Sequence, residues 1–225
     1  KEFSIALLEG DGIGPELMGE AVKVLRVIGS QAGVAFDLRR APFGGRAYFE
    51  TGASFPDETK AVCDACDAIL KGPIGLSHEE SKQIPVDDQP ERGALLPLRK
   101  RYNTYANFRP VYLPPELLHF SPLRPGRIPN GIDIVMIREL TGGLYFGAKE
   151  QGRNNEGLRY VKETLEYNEA EIRRILVAAF EEARRRRKLL HSVHKSNVLM
   201  SSVLWNEVLD EVAVEYPEGE HRHII

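Results

Sequence analysis

The stretch Ser4-Ile5-Ala6-Leu7-Leu8-Glu9-Gly10-Asp11-Gly12-Ile13-Gly14-Pro15-Glu16 carries the clearest indication of the fold class. Its apolar start predicts a short buried strand, its glycines predict a tight turn, and Pro15 suits the first turn of a helix. Apolar residues then continue at near-helical spacing as far as Ile28. Strand, turn and helix in this order are typical of an α/β fold with parallel strands.

The same alternation of strands and helices continues further along the chain. The further predicted strands cover residues 34–38, 68–70, 132–137 and 189–193, and the further predicted helices cover residues 57–66, 168–188 and 201–215. The polar, proline-bearing segment 77–97 predicts a long loop without regular structure. A divide near Asn103 separates the N-terminal part of a first α/β domain, residues 1–103, from a second domain, residues 104–225.

Composition and charge exclude several classes of protein. The 225 residues are 42% hydrophobic, which is ordinary for a globular protein. Lys and Arg number 30 and Asp and Glu number 33, so the net charge of −3 favours neither nucleic acid nor a membrane as a partner. The basic run 184–188 closes a predicted helix, where cations suit the negative end of the helix dipole. Without a signal segment or a membrane span, a cytoplasmic protein is expected.

Two short motifs resemble ligand-binding signatures, but each lacks a required part. Cys63 and Cys66 form a C-x-x-C, yet a zinc site would need further ligands at matching spacing, so buried structural thiols are expected. Gly10 and Gly12 lie between a strand and a helix, as in the Rossmann dinucleotide-binding fingerprint. The third glycine of that fingerprint would fall at position 15, which is proline, so a Rossmann phosphate loop is not expected.

Residues 138–147, RELTGGLYFG, place a cation, a hinge-like glycine pair and a phenol in one short segment. An arginine offers planar donors suited to a carboxylate, and a tyrosine hydroxyl can exchange a proton with a carbonyl or enol oxygen. Further cations and apolar side chains lie in segments 95–100, 107–110 and 193–198. Together the segments favour a small carboxylated ligand, although any one arginine alone is more often a solvated surface residue.

Long motifs follow one another along almost the whole chain: LEGDGIGPE at 8–16, QPERGALLPLR at 89–99 and SSVLW at 201–205. This ordered set resembles the β-decarboxylating dehydrogenases, and within them the isopropylmalate branch. The resemblance implies a two-domain fold distinct from the Rossmann fold. It also implies NAD-dependent oxidative decarboxylation of 3-isopropylmalate in leucine biosynthesis, with Mg²⁺ or Mn²⁺ as the metal.

The same resemblance implies roles for individual residues. Lys195 would accept the C2 hydroxyl proton, and Tyr145 would protonate the enol left by decarboxylation. The residues implied to bind substrate are Arg99, Arg109 and Arg138 for the carboxylates and Leu95 and Leu96 for the branched alkyl group. Read alone, the two leucines would be core residues. The residues implied to contact the cofactor are Gly72, Pro73, Ile74, Glu91 and Asn197.

Family members continue beyond Ile225 with a segment that completes the first domain. The chain is therefore expected to be truncated, with an incomplete first domain, and the metal-binding aspartates are expected to lie beyond Ile225. The family also implies a homodimer whose second domain carries the dimer contacts. In such a dimer, Lys195 and Asn197 would reach into the partner's active site.

Two departures from the family pattern leave alternatives open. His194 stands where most isopropylmalate enzymes have aspartate, and the segment 74–77, IGLS, differs from a more common Lys-Trp version. A sibling dehydrogenase for homoisocitrate, tartrate or malate is one alternative. A noncatalytic truncated fragment is another. The leucine pair at 95 and 96 favours a substrate with an alkyl group over these diacids.

Overall fold

The first strand of the chain, β1 (Glu2–Leu8), lies at the centre of a three-stranded sheet in the computed structural model, which describes residues 1–225. It pairs in parallel with β2 (Ala35–Ala41) on one side and with β3 (Ala68–Lys71) on the other. The structure therefore confirms an α/β fold with parallel strands. Contacts divide the chain into two compact units, Lys1–Tyr102 and Asn103–Ile225, called here the first and second units.

Helices cover both faces of the sheet in the first unit. They are α1 (Gly14–Ala32), α2 (Gly45–Thr51), α3 (Asp57–Asp64), α4 (His78–Ser81) and α5 (Leu96–Arg101). Successive strand side chains point to opposite faces, so Leu7 packs with Met18 of α1 while Leu8 packs with Cys63 of α3 and Leu98 of α5. A parallel sheet buried on both faces explains why β1 is apolar at consecutive positions.

The prediction of a structureless loop over residues 77–97 is wrong. After α4, the segment forms a 3₁₀ turn (Val86–Asp88) and a π-helical segment (Pro90–Leu95) that runs directly into α5. Helix α4 is stabilised by a reciprocal capping box, in which the Ser77 and Glu80 side chains each bond the other residue's backbone N–H. The prolines in this segment begin helical turns rather than interrupting them.

The second unit contains three two-stranded sheets and two helices. β4 (Ala106–Leu113) pairs antiparallel with β5 (Ile132–Glu139), β6 (Lys149–Arg153) pairs antiparallel with β7 (Arg159–Glu163), and β8 (Leu189–Val193) pairs in parallel with β9 (Glu220–Ile224). The helices are α6 (Glu169–Arg185) and α7 (Met200–Ala213), and short 3₁₀ turns cover Pro115–Phe120, Pro125–Arg127 and Gly143–Tyr145. Apolar residues of α6 and α7 pack together to form the core of this unit.

Three arginines of the basic run at the end of α6 are ion-paired. Arg184, in the last turn of α6, pairs with Glu181 and Glu218, while Arg186 and Arg187 both pair with Asp133. The expected helix end is confirmed. No helix in the chain has the length and apolar character needed to cross a membrane.

Both cysteines are free thiols in the first unit. Cys63 is buried, and its burial raises the pKa of its thiol. Cys66 is only half-buried, because it lies just beyond the end of α3. The prediction of two buried thiols therefore holds for Cys63 and not for Cys66.

Candidate functional site

Asp11 organises the turn that follows β1. It is 4% exposed, and its Oδ1 accepts a hydrogen bond from the backbone N–H of Arg46 at 2.8 Å. Its Oδ2 accepts from the backbone N–H groups of Gly45 and Gly75, both at 3.0 Å. The carboxylate therefore joins the β1 turn, the start of α2 and the segment after β3. Charge-assisted bonds of this kind are among the stronger hydrogen bonds in proteins.

Two glycines at this edge allow the backbones of the β1 and β3 turns to touch. Gly10 has φ of +76°, and a Cβ on it would lie 2.0 Å from the carbonyl oxygen of Pro73. A Cβ on Gly72 would lie 2.2 Å from the carbonyl oxygen of Glu9. The glycine-rich motif thus serves close packing of two turns, which agrees with the absence of a Rossmann fingerprint in the sequence.

The residues predicted to contact the cofactor in the first unit lie close together. Gly72, Pro73 and Ile74 follow β3 at the carboxyl edge of the sheet, where open α/β sheets usually bind their ligands. Glu91 faces the same segment, since a Cβ on Gly75 would lie 3.6 Å from its Oε1. Because Gly75 has no side chain, the Glu91 carboxylate is not covered on that side. A carboxylate in this place suits the hydroxyls of a nucleotide ribose. These residues fit a dinucleotide.

Arg99 and the leucine pair lie on one continuous helical segment. Ala94 and Leu98 face the core and are buried, whereas Leu95, Leu96 and Arg99 are half-buried. Residues three and four apart share a helix face, so the two leucines lie one turn before the guanidinium. Ala94 and Leu98 are therefore ordinary core residues, whereas Leu95 and Leu96 keep part of their surface exposed. An alkyl group beside a carboxylate matches this arrangement.

Lys71 is a further cation at this edge of the sheet, and none of the recognised motifs contains it. It is the last residue of β3, and its Nζ donates a hydrogen bond of 2.7 Å to the carbonyl oxygen of Gly72. Burial lowers the pKa of its ammonium group, the positive charge of Arg99 lowers it further, and the Asp11 carboxylate opposes both effects. A lysine directly before a Gly-Pro turn at the end of a buried strand was the available signal.

In the second unit, the β4–β5 register places two predicted substrate-binding arginines on one face. Arg138 is opposite Asn107, and Arg109 is opposite Met136. Opposed residues of antiparallel strands share a face, and alternate residues along a strand return to it, so Arg109 and Arg138 are diagonal neighbours. Both side chains are exposed.

Arg138 also contacts the predicted proton donor. Its Nη2 donates a hydrogen bond of 2.9 Å to the hydroxyl oxygen of Tyr145, and its guanidinium lies 5.7 Å from the centre of the tyrosine ring. Tyr145 is 48% exposed and lies in the 3₁₀ turn after β5. The cation predicted to bind a carboxylate and the phenol predicted to exchange a proton are therefore in direct contact.

A buried carboxylate holds the turn that carries Tyr145. The Glu139 side chain is 2% exposed and accepts hydrogen bonds from the backbone N–H groups of Thr141 and Gly142 at 3.0 and 2.8 Å. Arg174 of α6 supplies the balancing charge, with its Nη2 3.2 Å from Glu139 Oε1. The same guanidinium donates to the Thr141 hydroxyl at 2.6 Å and lies 4.7 Å from the Tyr105 ring centre. Glu139 and Arg174 therefore act as positioning residues.

The glycine pair that follows is explained by packing. A Cβ on Gly142 would lie 2.7 Å from the Tyr167 ring, and one on Gly143, with φ of +67°, would lie 2.5 Å from the Tyr167 hydroxyl. Burial raises the pKa of Tyr167, and its ring packs edge-on against Trp205. A side chain at either glycine would displace this tyrosine, which gives the pair a packing role rather than the role of a hinge.

Lys195 and Asn197 lie in the turn between β8 and α7, and both are exposed. The carbonyl oxygen of Lys195 accepts from the N–H of Val198 and Leu199, and its own N–H donates to Ser202 Oγ at 3.2 Å. The side chain of Lys195 is therefore exposed while its backbone is held in the turn.

The residues present do not provide a site suited to Mg²⁺ or Mn²⁺. The group of three side chains close enough to hold one ion comprises Asp210, His221 and His223. Two imidazoles do not suit these cations, which prefer oxygen ligands. No step of the reaction is therefore assigned to a metal in this chain.

Comparisons with known proteins agree with the motifs. The sequence pattern of the isocitrate/isopropylmalate dehydrogenase family matches residues 4–225. A 3-isopropylmalate dehydrogenase from Vibrio parahaemolyticus is 46% identical over 225 residues, which are all of this chain and 61% of that protein. One from Carboxydothermus hydrogenoformans is 45% identical over 218 residues, or 97% of this chain and 58% of that protein. The chain thus spans about 60% of the length of these curated relatives.

Solved structures with the same fold include an isocitrate dehydrogenase from Methylococcus capsulatus, with a TM-score of 0.79 and 30% identity. The alignment covers 98% of this chain and 60% of that one. A β-decarboxylating dehydrogenase from Thermococcus kodakarensis aligns with a TM-score of 0.70 and 27% identity, covering 99% of this chain and 57% of that one.

Proposed function

The chain belongs to the isocitrate/isopropylmalate dehydrogenase family, and on that premise we propose that it forms part of an NAD-dependent 3-isopropylmalate dehydrogenase acting in leucine biosynthesis. The observation that carries the proposal is the 2.9 Å hydrogen bond between Arg138 and Tyr145. It joins a carboxylate-binding group to a proton donor, and oxidative decarboxylation of a 2-hydroxy diacid needs both. The names of the relatives, which are 3-isopropylmalate dehydrogenases, support 3-isopropylmalate as that diacid.

We assign the substrate carboxylates to Arg99, Arg109 and Arg138. A guanidinium makes bidentate, charge-assisted bonds to a carboxylate, which fix the orientation of the bound group as well as its affinity. Loss of one preorganised donor is expected to raise the transition-state free energy by about 2 to 4 kcal/mol. The half-buried leucines one turn before Arg99 support an alkyl substituent, and burying such a group contributes about 2 kcal/mol.

Lys195 is proposed as the base that takes the C2 hydroxyl proton, and Tyr145 as the acid that protonates the enol carbon after carbon dioxide leaves. Bound NAD supplies the acceptor for the hydride from C2. Gly72, Pro73, Ile74 and Glu91 would hold the dinucleotide, with Asn197 as a further contact. The metal of the whole protein is proposed to be Mg²⁺ or Mn²⁺, bound by residues outside this chain.

We further propose a homodimer with shared active sites, in which Lys195 and Asn197 act in the partner's site. Exposed apolar side chains in the second unit support an interface there. Val111, Ile134 and Met136 are 39 to 53% exposed on the β4–β5 face that also carries Arg109 and Arg138. Clustered apolar exposure of this kind commonly marks a protein interface.

The test measures NADH formation with Mg²⁺ or Mn²⁺, offering 3-isopropylmalate beside isocitrate, homoisocitrate, tartrate and malate. It uses the 225-residue chain and the same chain joined to the carboxyl-terminal segment of the Vibrio parahaemolyticus relative. Selective turnover of 3-isopropylmalate by either form supports the proposal. Preference for another diacid assigns the chain to a sibling dehydrogenase. Absence of NADH formation by both forms with every substrate supports a noncatalytic fragment.

The active form then tests the proposed base. Lys195→Met should leave substrate binding largely intact and abolish turnover, because no group remains to accept the hydroxyl proton. Lys23→Met, at an exposed lysine of α1, is the matched control and should retain full activity. Substantial residual turnover in Lys195→Met would remove Lys195 from this role.

The alkyl pocket has a separate test. Leu95→Ser should damage turnover of 3-isopropylmalate more than turnover of malate, since only the former has a branched group to bury. Burial of about 2 kcal/mol corresponds to a difference of roughly 30-fold in kcat/KM between the two substrates. Equal losses for both substrates would contradict the assignment of Leu95.

A further inference from the structure

Three side chains that could ligate a metal converge in the second unit. None of them is assigned above, although the His223 ring packs against His194, the neighbour of Lys195. Asp210 lies on α7, and His221 and His223 lie on β9. The Nε2 atoms of the two histidines are 3.4 and 3.1 Å from the same oxygen, Asp210 Oδ1. All three potential ligand atoms lie within 4.8 Å of one another.

The spacing matches the requirements of a small tetrahedral ion. With zinc–nitrogen and zinc–oxygen bonds of about 2.0 to 2.1 Å, neighbouring ligands of a tetrahedron are about 3.3 Å apart. The two imidazole Nε2 atoms are 3.4 and 3.1 Å from Asp210 Oδ1, close to this spacing, and the two imidazole nitrogens lie within 4.8 Å of each other, so closing the group requires mainly that the two rings approach each other. Three protein ligands leave the fourth position for water.

Both imidazoles are held in place before any ion binds. His221 and His223 are two residues apart on a strand, so their side chains share one face of the β8–β9 sheet. The His221 ring packs edge-on against Phe180 of α6, and the His223 ring packs edge-on against His194. Preorganised ligands lose less conformational entropy when an ion binds.

A buried hydroxyl on the neighbouring strand is available as an outer partner of the group. Ser192 is the register partner of His223, lies on the same face and is 7% exposed, and its Oγ is buried without a hydrogen-bond partner. A metal-bound imidazole must carry its proton on the other ring nitrogen, and that N–H usually donates to an outer acceptor. The Ser192 hydroxyl offers such an acceptor one strand away.

His194 is not a ligand of this group. Its Nδ1 accepts from the N–H of Ser196 at 3.2 Å, and its Nε2 faces the Asn206 amide at 3.3 Å. Asn206 Oδ1 is buried without a hydrogen-bond partner. If the Asn206 amide is turned by 180°, its Oδ1 accepts a hydrogen bond from a protonated His194 Nε2. Both ring nitrogens of His194 are then used by the protein itself.

We propose that Asp210, His221 and His223 form a site for Zn²⁺ or a related transition-metal ion, which ties β9 to α7. Imidazole nitrogens select such ions over Mg²⁺ and Mn²⁺, so this site is separate from the metal proposed for the dehydrogenase reaction. Its effect is to stabilise the second unit, because binding to the folded state alone adds to the free energy of unfolding.

The test titrates metal-free protein with Zn²⁺ by calorimetry and with Co²⁺ by visible absorption. One ion per chain is expected. His221→Gln, His223→Gln and Asp210→Asn should each reduce the affinity more than about 10-fold, because removing even an outer partner of a metal ligand costs about 10-fold or more. The matched control is His191→Gln, because His191 pairs with Arg222 and points to the opposite face. Far-ultraviolet circular dichroism verifies that each variant is folded.

Cys63 and Cys66 are the competing ligands to exclude. Binding should persist in a Cys63→Ser, Cys66→Ser double variant, and Co²⁺ should give visible bands without the thiolate charge-transfer band in the near ultraviolet. The proposal is overturned by absence of Zn²⁺ binding, by binding that the two histidine variants leave unchanged, or by binding lost with the cysteines. None of these outcomes depends on dehydrogenase activity.

Discussion

Each unit of the protein contains one buried carboxylate that holds a loop of the candidate site, but the two are stabilised differently. Asp11 in the first unit accepts hydrogen bonds from the backbone N–H groups of Gly45, Arg46 and Gly75. Glu139 in the second unit bonds the N–H groups of its own turn and pairs with the Arg174 guanidinium. One carboxylate joins distant segments by backbone bonds, and the other holds a local turn with help from one cation.

The difference matters for how each loop can fail. The partners of Asp11 are backbone N–H groups, which no substitution except proline removes, so they still need an acceptor whatever replaces the acid. The partner of Glu139 can be removed together with it. Damage at Asp11 should therefore spread through the carboxyl edge of the sheet, whereas damage at Glu139 should stay in the turn before Tyr145.

The largest effect is expected for Asp11→Asn. The amide cannot accept at both oxygen positions, so at least one buried N–H loses its partner and the charge assistance is gone. The expected loss is about 3 to 5 kcal/mol of unfolding free energy. Chemical denaturation measures the loss, and hydrogen exchange should rise together at Gly45, Arg46 and Gly75. Asp87→Asn, at an acid with a 99% exposed side chain, is the control and should change neither.

A smaller effect is expected for Glu139→Gln, about 2 kcal/mol, because the turn keeps an acceptor while the Arg174 charge loses its partner. Arg174→Met should cost a similar amount. The double variant should lose less than the sum of the two, since both charges leave together. Trp205, the one tryptophan of the chain, reports unfolding of the second unit by fluorescence. Additive losses would mean that the two side chains do not act as a pair.

Lys71→Met should change stability by less than about 1 kcal/mol at neutral pH, because the substitution loses one partly buried hydrogen bond but also removes a partly desolvated positive charge. The folded pKa of Lys71 lies below its usual 10.5. Folding therefore releases protons between the two pKa values, and the wild type should gain stability relative to Lys71→Met as pH rises through that window. A loss comparable to that of Arg174→Met would show that Asp11 relies on this cation after all.

The smallest effect concerns an exposed ion pair. A hydrogen bond from Arg101, and a second from Tyr102, hold the pKa of Asp64 at about 2 rather than 3.8. The stability that this carboxylate contributes is present above pH 3.8 and is lost as pH falls towards about 2. Asp64→Asn should flatten the stability profile in that window and should lower stability by a small, constant amount at neutral pH. A variant profile that follows the wild type throughout would contradict the assignment.

Much of the fold was predictable because its signals are local. The strand at residues 189–193 coincides with β8, and the amphipathic helices α6 and α7 begin and end within a few residues of prediction. β9 was missed because its sequence, EHRHI, lacks apolar alternation and becomes a strand by pairing with β8. β6 and β7 are fully or largely exposed, so neither carries the pattern of a buried face.

The candidate site also contains residues that the sequence predicted and residues that only the structure identified. The predicted roles of Arg99, Arg138, Tyr145 and Lys195 came from the family resemblance of their motifs, since an arginine or a lysine taken alone is usually a solvated surface residue. The positioning residues were not visible in the motifs. Glu139 precedes a Thr-Gly-Gly turn, which offers only a weak signal, and Arg174 resembles every other arginine of a charged helix.

Local sequence was therefore sufficient for β1, its glycine turn and α1, because apolar spacing, Gly and Pro act within a few residues of one another. Folding alone brought Asp11 to the N–H groups of residues that are 34, 35 and 64 positions away. Any residue except proline offers a backbone N–H, so no side-chain pattern marks these partners. Their meeting depends on the packing of β1 against β3 and on the entry of the chain into α2, which only the folded chain specifies.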